Sequence, residues 1–382
     1  MKNAVIISAF DNYGYNVRTK YIEKYFEAKG YNVKLISSDF DHRNKKKYNV
    51  QRKNLQLVHV KEYKKNLSVD RIVSHKEFAQ RAFKAAVQYE PSIIYVSTPP
   101  NFLFKYAAKY KKKHSNTKLI FEIGDMWPET LPVNKNIKAI IFPFLKMWKY
   151  LRDKYIKCAD GIVFECELFR NYLCDYTKGI PGITLYLTKD FDNNPLNRTI
   201  PSVKNGINGI NICYVGSLNN IFDSKLTSEL INKLAMKCKV IFHIIGDGEK
   251  KIDFLNMLKN VNIVDHGIVY DEEEKSNIYA ECHLALNLMK TNVFVGLTMK
   301  SIEYFAAGLP IINNIPEDTE NIIKQNECGY NLNNNIDETV KWIMSLNDEM
   351  ISKMRINSYR VYRENFTVDV FNNRFSELIE KC

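Results

Sequence analysis

The chain has 382 residues, of which 45% are hydrophobic and 12% aromatic, and its formal net charge is +12. This length predicts two domains that bury a sizeable core. No run of eighteen apolar residues occurs, so we expect no membrane-spanning helix. The positive charge suits an acidic ligand, an anionic membrane surface or nucleic acid. Nucleic acid is the weakest of the three, because no zinc-finger, RNP-type or GxxG pattern occurs.

The first half of the sequence alternates strand and helix patterns, which is typical of a parallel sheet with crossover helices. It begins with a short apolar run that we interpret as a first strand rather than a signal peptide. The predicted strands are 4–9, 33–37, 55–60, 93–96, 118–123, 162–164 and 183–187, and the predicted helices are 17–28, 76–87, 102–113, 137–157 and 168–176.

The second half continues this alternation after residues 188–209, which are rich in Asn, Pro and Gly and form the best linker candidate. We predict an α/β fold of two doubly wound domains, 1–187 and 210–364, facing each other across a cleft. Residues 365–382 predict a terminal amphipathic helix. The other predicted strands are 211–215, 240–245, 263–264 and 284–288, with helices at 224–236 and 272–280.

Residues 298–314, TMKSIEYFAAGLPIINN, predict a short helix, a Gly-Pro stop and a buried strand. Lys300 and Glu303 are one turn apart and project from the same face near the helix start. Residues 306–308 have almost no side chain, so a ligand can approach closely. A helix start at the open end of a parallel sheet binds anions well, and a neighbouring carboxylate can bind sugar hydroxyls. The alternative is an ordinary helix–strand unit with a charged first turn.

This segment resembles the nucleotide-sugar motif of family 4 glycosyltransferases, especially those that build bacterial surface polysaccharides. The family pattern Lys-x-x-Glu/Asp-Tyr-x-Ala-x-Gly-x-Pro is matched by Lys300, Glu303, Tyr304, Ala306, Gly308 and Pro310. The resemblance covers nearly the whole chain. It implies the GT-B arrangement of two Rossmann-like domains, with residues 365–382 crossing back to the first. It also implies transfer with retention of configuration and no metal requirement.

The stretch YVGSLNNIFDSK (214–225) predicts a strand, a tight turn and a helix start, where exposed N–H groups can hold a diphosphate. It resembles a Tyr-x-Gly-Ser/Thr-Leu…Asp run of the surface-polysaccharide enzymes, which implies donor contacts at Gly216 and Ser217. Many other family members carry Arg and Lys where this chain has Ser217 and Phe222. Lys225 and Lys300 are therefore the candidate cations for the diphosphate.

The stretch HIIGDGEKK (243–251) places a Gly-x-Gly turn after a strand, and the resemblance implies a donor contact at Gly246. Within the family pattern, Glu303 would bind ribose or sugar hydroxyls, and Lys300 would stabilise the leaving diphosphate. The family's Glu-x7-Glu pair is incomplete, because Val295 stands eight positions before Glu303. The implied donor is a nucleotide diphosphate sugar, most simply a UDP-sugar, with no further cofactor.

The stretch IGDMWPET (123–130) follows a predicted strand, so Asp125 lies at a carboxyl end of the first sheet. It resembles an Asp-x-Trp-Pro-Glu pattern of bacterial polysaccharide glycosyltransferases, which implies that Asp125 or Glu129 binds or orients the acceptor hydroxyl. Asp125 and Glu303 are thus the predicted catalytic residues. Other branches carry His where this chain has Gly124, so a histidine role is excluded there. The alternative is an Asx turn before a structural Trp-Pro pair.

Gly14 and Asn16 follow the first strand and loosely match a family loop near the donor phosphates and the acceptor; a plain turn is the alternative. Two Asp-Phe-Asp triplets, at 39–41 and 190–192, are interpreted as surface charge. A two-domain enzyme can neutralise the leaving diphosphate with helix N-termini and Lys, so we predict no metal site.

Residues 135–157 combine apolar and aromatic positions with Lys and Arg, a pattern of helices that lie on anionic membranes. Trp148 or Phe144 would insert into the bilayer. The alternative is a packing helix with a solvated cationic face. The cations expected to face the lipid are Lys146, Lys149 and Arg152.

The resemblance therefore implies a cytoplasmic enzyme, peripheral on the inner face of the plasma membrane. It would move a sugar from a nucleotide diphosphate sugar to a surface-polysaccharide acceptor carried on a polyprenyl diphosphate. Two other classes stay open. A sugar-nucleotide epimerase on the same fold would act without an acceptor. A non-catalytic glycosyltransferase-like subunit would bind the nucleotide sugar without turnover.

Overall fold

The computed structural model describes residues 2–11, 17–131, 135–191, 194–198, 201–203, 209–333 and 335–382, with side chains for all of these except 17 and 135–140. The chain forms two compact units. The first consists of Met1–Thr188 together with Val368–Cys382, and the second of Lys189–Thr367. The described parts of the segment interpreted as a linker, 188–209, follow this boundary and belong almost wholly to the second unit.

The longer strands are mostly buried, as expected for parallel sheets that are covered by helices. The described strands are β1 (Asn3–Ser8), β2 (Asn32–Ser38), β3 (Phe40–Asp41), β4 (Lys46–Lys47), β5 (Leu55–Val58), β6 (Ile93–Thr98), β7 (Lys118–Ile123), β8 (Gly161–Phe164), β9 (Gly182–Thr184), β10 (Gly209–Val215), β11 (Lys239–Ile245), β12 (Asn262–Gly267), β13 (Leu284–Asn287), β14 (Ile311–Asn313) and β15 (Gly329–Asn331).

Several helices begin at a residue whose side chain accepts a hydrogen bond from the first turn, as Ser68, Asp223 and Asp271 do. Within the described ranges, no helix is both long and apolar enough to cross a membrane. The helices are α1 (Val17–Ala28), α2 (Val69–Ala86), α3 (Phe102–Lys111), α4 (Lys135–Tyr155), α5 (Glu167–Thr177), α6 (Ser224–Ala235), α7 (Lys251–Leu255), α8 (Glu272–Ala280), α9 (Met299–Ala306), α10 (Asp318–Asn326), α11 (Ile336–Met344), α12 (Asp348–Asn365) and α13 (Val368–Lys381).

The first unit is built on a parallel sheet with the strand order β5-β2-β1-β6-β7-β8-β9. The last helix of the chain, α13, belongs to this unit. Phe371, Phe375 and Leu378 on α13 are buried in the same core as Ile6 and Tyr95 from the sheet. Because the strands are parallel, their carboxyl ends share one edge, and the segment that contains Asp125 leaves from that edge at the end of β7.

The second unit is built on a parallel sheet with the order β12-β11-β10-β13-β14-β15. Its core is apolar and includes Ile212, Leu230, Phe242 and Phe254. The chain order reverses between β10 and β13, and such a switch point leaves a crevice at the carboxyl edge where ligands bind in doubly wound folds. The segment 298–314 lies at this point, because α9 leads into β14.

The predicted α/β class with two doubly wound units is confirmed. Strand 118–123 and helix 272–280 have the predicted bounds, and the short helix, glycine stop and strand of 298–314 are also confirmed. The helix predicted at 76–87 begins earlier, at Val69, because the Ser68 side chain accepts a hydrogen bond from the Arg71 N–H and starts the helix there. The hairpin of β3 and β4 was not predicted, since each strand has only two residues.

Candidate functional site

The carboxyl ends of β10 and β11 meet in a pair of glycine turns. Gly216 follows β10 with φ +126°, and Gly246 follows β11 with φ +141°, conformations that favour glycine. The Gly216 N–H donates to the Ile245 carbonyl at 2.9 Å, and a Cβ on Gly246 would lie 2.1 Å from the Gly216 carbonyl oxygen. The structure thus brings the predicted donor residues Gly216 and Gly246 side by side, with Ser217 exposed next to them.

Helix α9 begins at the same edge of the sheet and is fixed there by buried polar side chains. The Thr298 hydroxyl caps the helix by accepting a hydrogen bond from the Ser301 N–H at 3.3 Å. The Asn287 side-chain amide, at the end of β13, donates to the Ser301 hydroxyl at 2.7 Å. Asn287 and Ser301 are fully buried. The first turn of α9, which carries Lys300, is therefore held against the strand ends.

Tyr304 has a structural role within the same motif. Its hydroxyl accepts a hydrogen bond from the Val215 N–H at 2.8 Å and donates to the Leu286 carbonyl at 3.2 Å, and its side chain is fully buried. These bonds join α9 to both strands at the switch point. Gly308 ends the helix with φ +61°, in the left-handed region.

Lys300 is a cation without a counter-charge. Its Nζ lies 4.5 Å from the centroid of the Tyr214 ring and 3.4 Å from the Tyr214 hydroxyl oxygen. Among the described residues, no carboxylate oxygen lies within 4 Å of this Nζ, whereas Lys251 pairs with Asp265 at 2.7 Å. Burial lowers the pKa of Lys300 to about 7. An anion that binds beside Lys300 would supply the missing charge.

Glu303 is held by two lysines and a tyrosine. Its Oε1 lies 3.7 Å from the Lys189 Nζ and 3.8 Å from the Lys275 Nζ, and the Tyr279 hydroxyl donates to its Oε2 at 3.2 Å. Glu272 shares both lysines, at 2.6 and 2.9 Å. The Glu303 side chain is 17% exposed. Its carboxylate is therefore fixed in position and still accessible to a ligand hydroxyl.

The other positions near this edge favour Lys300 as the cation for a diphosphate. Phe222 stands where many family members carry Lys, and it is buried against the rings of Tyr214 and Phe254 at 4.7 and 5.0 Å. It is therefore a core residue. Lys225 lies in the first turn of α6 with an exposed side chain.

In the first unit, the Asp125 carboxylate accepts hydrogen bonds from side chains two and five residues later and so stabilises a turn. The Trp127 Nε1 donates to Asp125 Oδ2 at 2.7 Å, and the Thr130 hydroxyl donates to Oδ1. Burial raises the pKa of Asp125, and these two hydrogen bonds oppose the rise. This geometry is that of the structural turn named as the alternative, and a role toward the acceptor stays a prediction.

Glu129 is engaged by helix α4. Arg152 Nη1 and Nη2 donate to its two oxygens at 2.7 and 3.0 Å, and Lys149 and the Tyr172 hydroxyl contact Oε1 at 3.1 and 3.0 Å. Burial alone would raise the pKa of Glu129, but the hydrogen bonds and charges of Arg152 and Lys149 bring it below its usual value. This carboxylate therefore anchors α4 to the segment after β7, and its predicted part in acceptor binding stays a prediction.

The expected membrane-facing residues of α4 need correction. Trp148 does not face solvent, because its ring is buried and stacks on Trp127 with centroids 5.6 Å apart. Arg152 is 1% exposed and belongs to the buried ion pair with Glu129. On the described part of the helix, the exposed aromatic side chains are Phe142, Phe144 and Tyr150.

The remaining residues singled out from the sequence are the loop after the first strand and the two Asp-Phe-Asp triplets. Gly14 and Asn16 lie outside the described residues, as does Asp192 of the second Asp-Phe-Asp triplet. In the first triplet, Asp39 pairs with Lys47 at 2.6 Å and with His59 at 2.8 Å. The part of the chain that the structure describes contains no cluster of three or more His, Cys, Asp or Glu placed to hold a metal ion.

A buried pair of basic side chains at the start of α2, Arg71 and His75, was not predicted. Arg71 is 4% exposed, and its guanidinium carbon lies 4.4 Å from the centroid of the Trp127 ring. His75, also buried, stacks on the same ring with centroids 5.6 Å apart. The spacing of four residues, which places Arg71 and His75 on one face of a helix, was the available signal.

Comparison with known proteins gives a family match for the second unit. Residues 209–348, which include β10 and α9, match the family model described as Glycosyl transferases group 1. A comparison with curated proteins found no match.

Solved structures share the fold over the whole chain. The lipopolysaccharide outer core galactosyltransferase WaaB, in its apo form, is 16% identical with a TM-score of 0.67, covering 100% of this chain and 99% of that chain. HepE of Anabaena, in complex with UDP and glucose, is 12% identical with a TM-score of 0.62 and full coverage of both chains. A structure described as trehalose-6-phosphate from E. coli, bound with UDP-2-fluoro glucose, is 11% identical with a TM-score of 0.67 and 99% coverage of both.

At these identities the structural similarity establishes the fold, which is the predicted GT-B fold with two Rossmann-like domains. The family match covers the part of the chain that contains Gly216, Gly246, Lys300 and Glu303. The second unit therefore matches a glycosyltransferase family model, and the chain shares the GT-B fold with these solved structures.

Proposed function

We propose that this protein transfers a sugar from a UDP-sugar to a hydroxyl group of a lipid-linked surface glycan. The observation that carries the proposal is Lys300, a cation without a carboxylate partner among the described residues, at the carboxyl edge of the second sheet. A diphosphate bound there would restore the charge balance that burial of Lys300 disturbs.

We assign a step to each donor residue. The turns at Gly216 and Gly246 allow a phosphate group to approach the backbone closely. Lys300 would neutralise the charge that develops on the diphosphate as the bond to the anomeric carbon breaks. Glu303 would accept hydrogen bonds from ribose or sugar hydroxyls. The acceptor oxygen then bonds to the anomeric carbon, with retention of configuration, and UDP and a proton are released.

The choice of UDP draws on the structural neighbours. HepE of Anabaena holds UDP and glucose, and the E. coli structure holds UDP-2-fluoro glucose. We further propose that the reaction needs no metal ion, since Lys300 and the α9 N-terminus would stabilise the leaving group. Asp125 would orient the acceptor hydroxyl from the first unit.

We propose a surface-glycan acceptor because one structural neighbour, WaaB, is named as a lipopolysaccharide outer core galactosyltransferase. A polyprenyl-linked acceptor requires a contact with the inner face of the plasma membrane. Four exposed apolar side chains on the first unit would provide it: Leu67, Val69, Phe142 and Phe144, at 42%, 66%, 57% and 41% exposure. The protein would then be cytoplasmic and peripheral to the membrane.

Vesicle sedimentation tests this membrane contact. Wild-type protein should bind anionic vesicles, and a Val69→Ser/Phe144→Ser double variant should bind them at least fivefold less, because apolar insertion is lost. Met236→Ser is the matched control, since Met236 is 72% exposed on the second unit. Equal binding by the double variant and the control would contradict the assignment of this face.

Donor binding and turnover test the proposed activity. Thermal-shift screening of nucleotide sugars should show a rise in melting temperature with a UDP-sugar, because a ligand that binds only the folded state stabilises it. That donor should then be consumed only when a prenyl-linked glycan is present. Conversion of the donor without acceptor would show an epimerase instead.

A non-catalytic subunit is the second candidate, favoured by Val295 at the first position of the family's Glu-x7-Glu pair. Donor binding without consumption, in the presence of a range of prenyl-linked acceptors, would favour it. Replacing Val295 with Glu then offers a direct test, since restored turnover would show that this position limits catalysis.

A further inference from the structure

An apolar groove runs between α2 and α4 in the first unit. It encloses about 170 Å³, and its lining combines buried side chains such as Leu145 and Trp148 with the exposed side chains of Leu67, Val69 and Phe144. Exposed apolar side chains that adjoin a groove mark a binding surface more often than isolated ones do. The groove is open to solvent. A hydrocarbon chain too long to fit inside it could therefore continue over these exposed side chains.

Arg71 lines this groove and forms no salt bridge with a carboxylate of the described residues. Its Nη1 donates to the Asn66 carbonyl at 2.8 Å, and its Nε donates to His75 Nε2 at 3.4 Å. No carboxylate within the described ranges lies within 4 Å of the guanidinium, although the side chain is only 4% exposed. Arginine stays protonated in proteins, so this is a buried positive charge without a salt bridge to a described carboxylate. The Asp125 carboxylate attracts it only from beyond 4 Å.

Lys45 is a second cation near Arg71, whereas the two histidines beside them, His42 and His75, are neutral. Lys45 Nζ lies 5.0 Å from the Tyr63 ring and 3.3 Å from His42 Nδ1, and the Arg71 guanidinium carbon lies 5.9 Å from the same Tyr63 ring. His75 Nδ1 is buried without a hydrogen-bond partner. Burial and the charges of Arg71 and Lys45 lower the pKa of His42 to about 4 and that of His75 well below its usual value.

The groove is continuous with the segment that carries Asp125. Trp148, in the groove lining, stacks on Trp127, and the Trp127 Nε1 donates to Asp125 Oδ2 at 2.7 Å. The Arg71 guanidinium packs on the same Trp127 ring. One indole therefore connects the apolar groove, the buried cation and the predicted acceptor residue.

We propose that this groove binds the phosphate end of a prenyl lipid, with the phosphate on Arg71 and the first isoprene units against Trp148 and Phe144. This inference rests on the proposed function, since the lipid would be the carrier of the acceptor glycan. The guanidinium presents paired N–H donors that match phosphate oxygens. A soluble phosphate would contact only the Arg71 guanidinium, and a neutral lipid would contact only the apolar lining of the groove. A prenyl phosphate would contact both.

Farnesyl phosphate is a suitable probe, with farnesol and inorganic phosphate as its two halves. Two of the three tryptophans, Trp127 and Trp148, lie at the groove, so tryptophan fluorescence should report binding. Wild type should bind farnesyl phosphate at least tenfold more tightly than farnesol. Inorganic phosphate at the same concentration should leave the fluorescence unchanged.

Arg71→Leu should reduce the affinity for farnesyl phosphate at least tenfold, to the level of farnesol, while leaving farnesol binding as it is. Lys76→Leu is the matched control, because it removes an exposed charge from the same helix. If Arg71→Leu does not fold, binding of both probes to Val69→Glu is measured instead. Val69 is an exposed rim residue, and a carboxylate there should weaken binding of both probes at least tenfold.

Equal affinity of wild type for farnesyl phosphate and farnesol would overturn the proposal. So would wild-type affinity in the folded Arg71→Leu variant, or in Val69→Glu. UDP-sugar thermal shifts on the same proteins separate the two hypotheses. A wild type that binds farnesyl phosphate as described but no UDP-sugar contradicts the proposed function and leaves the lipid site standing, whereas normal donor shifts without farnesyl phosphate binding contradict the lipid site alone.

Discussion

Replacing Lys300 with Met removes the ammonium and keeps most of the apolar stem that packs beside Tyr214. If Lys300 is the cation that neutralises the donor diphosphate, the substitution should abolish UDP-sugar binding. The wild type should also show a proton linkage, because a bound diphosphate favours the charged lysine and raises its pKa again. Donor binding should therefore be accompanied by proton uptake at a pH where the free lysine is neutral.

The size of this linkage follows from the pKa of about 7 that burial gives Lys300. At pH 8 the neutral form exceeds the charged form about tenfold, so about 0.9 proton should be taken up per donor bound. At pH 6 the uptake should fall to about 0.1. Above pH 7 the affinity should decrease by about tenfold per pH unit, which corresponds to about 1.4 kcal/mol.

The same lowered pKa predicts an effect on stability. Below pH 7 Lys300 is charged in both the folded and the unfolded chain, and its burial then destabilises the fold. Between about pH 7 and 10.5 the unfolded lysine still holds a proton that the folded one has released, so stability from this group rises with pH across that window. Lys300→Met should therefore raise the free energy of unfolding at pH 6 by about 1–4 kcal/mol.

Isothermal titration calorimetry with a UDP-sugar, in buffers of different ionisation enthalpy at pH 6 and pH 8, measures the proton uptake. Lys239→Met is the matched control, because Lys239 is an exposed residue at the amino end of β11, away from the carboxyl edge. If wild type takes up no proton at pH 8, or if Lys300→Met binds the donor within twofold of the control, Lys300 is not the cation that neutralises the diphosphate.

Three further predictions concern the donor site. Glu303→Ala should weaken UDP-sugar binding by roughly 1.5–3 kcal/mol in calorimetry while the far-UV circular dichroism stays that of wild type, because a charge-assisted hydrogen bond to the ligand is lost; unchanged affinity would argue against the contact. Gly246→Ala should lower the melting temperature by several degrees, because its Cβ would lie 2.1 Å from the Gly216 carbonyl oxygen, and a wild-type melting curve would contradict this close approach. Treatment with EDTA should leave sugar transfer unchanged, and a loss that manganese restores would show that the reaction needs a metal.

The elements of the donor site could be predicted because their signals are local in sequence. Helix α9 follows from Thr298 as its cap, the apolar spacing of Ile302 and Phe305, and Gly308 as its stop. Helical periodicity alone predicts that Lys300 and Glu303 project from the same face of this helix. The buried runs of β10 and β11 likewise predict a parallel sheet, and glycines after such strands predict turns at its carboxyl edge.

The sequence could not show which lysine and arginine side chains are paired with a carboxylate and which are available to a ligand. Nothing in the sequence shows that Lys300 lacks a carboxylate partner while Lys251 has one, since Asp265 comes from a neighbouring strand. The same holds for Arg152, whose spacing on α4 is that of a solvated cation but whose partner Glu129 lies 23 residues earlier. Amphipathic periodicity shows that a helix has two faces, and it does not show what each face meets.

The two units share one physical feature. Lys300 in the second unit is a half-buried cation, and Arg71 in the first is a buried one. No described carboxylate lies within 4 Å of either, and each lies beside an aromatic ring that partly offsets the missing charge. Such an arrangement reduces the stability of the unliganded protein, because a buried charge without a partner is unfavourable. It also means that an anionic ligand contributes to folding as it binds, and the stabilisation grows with ligand concentration as RT ln(1 + [L]/Kd). A donor diphosphate and a lipid phosphate would then stabilise different units, and the two melting shifts should add if the units unfold together.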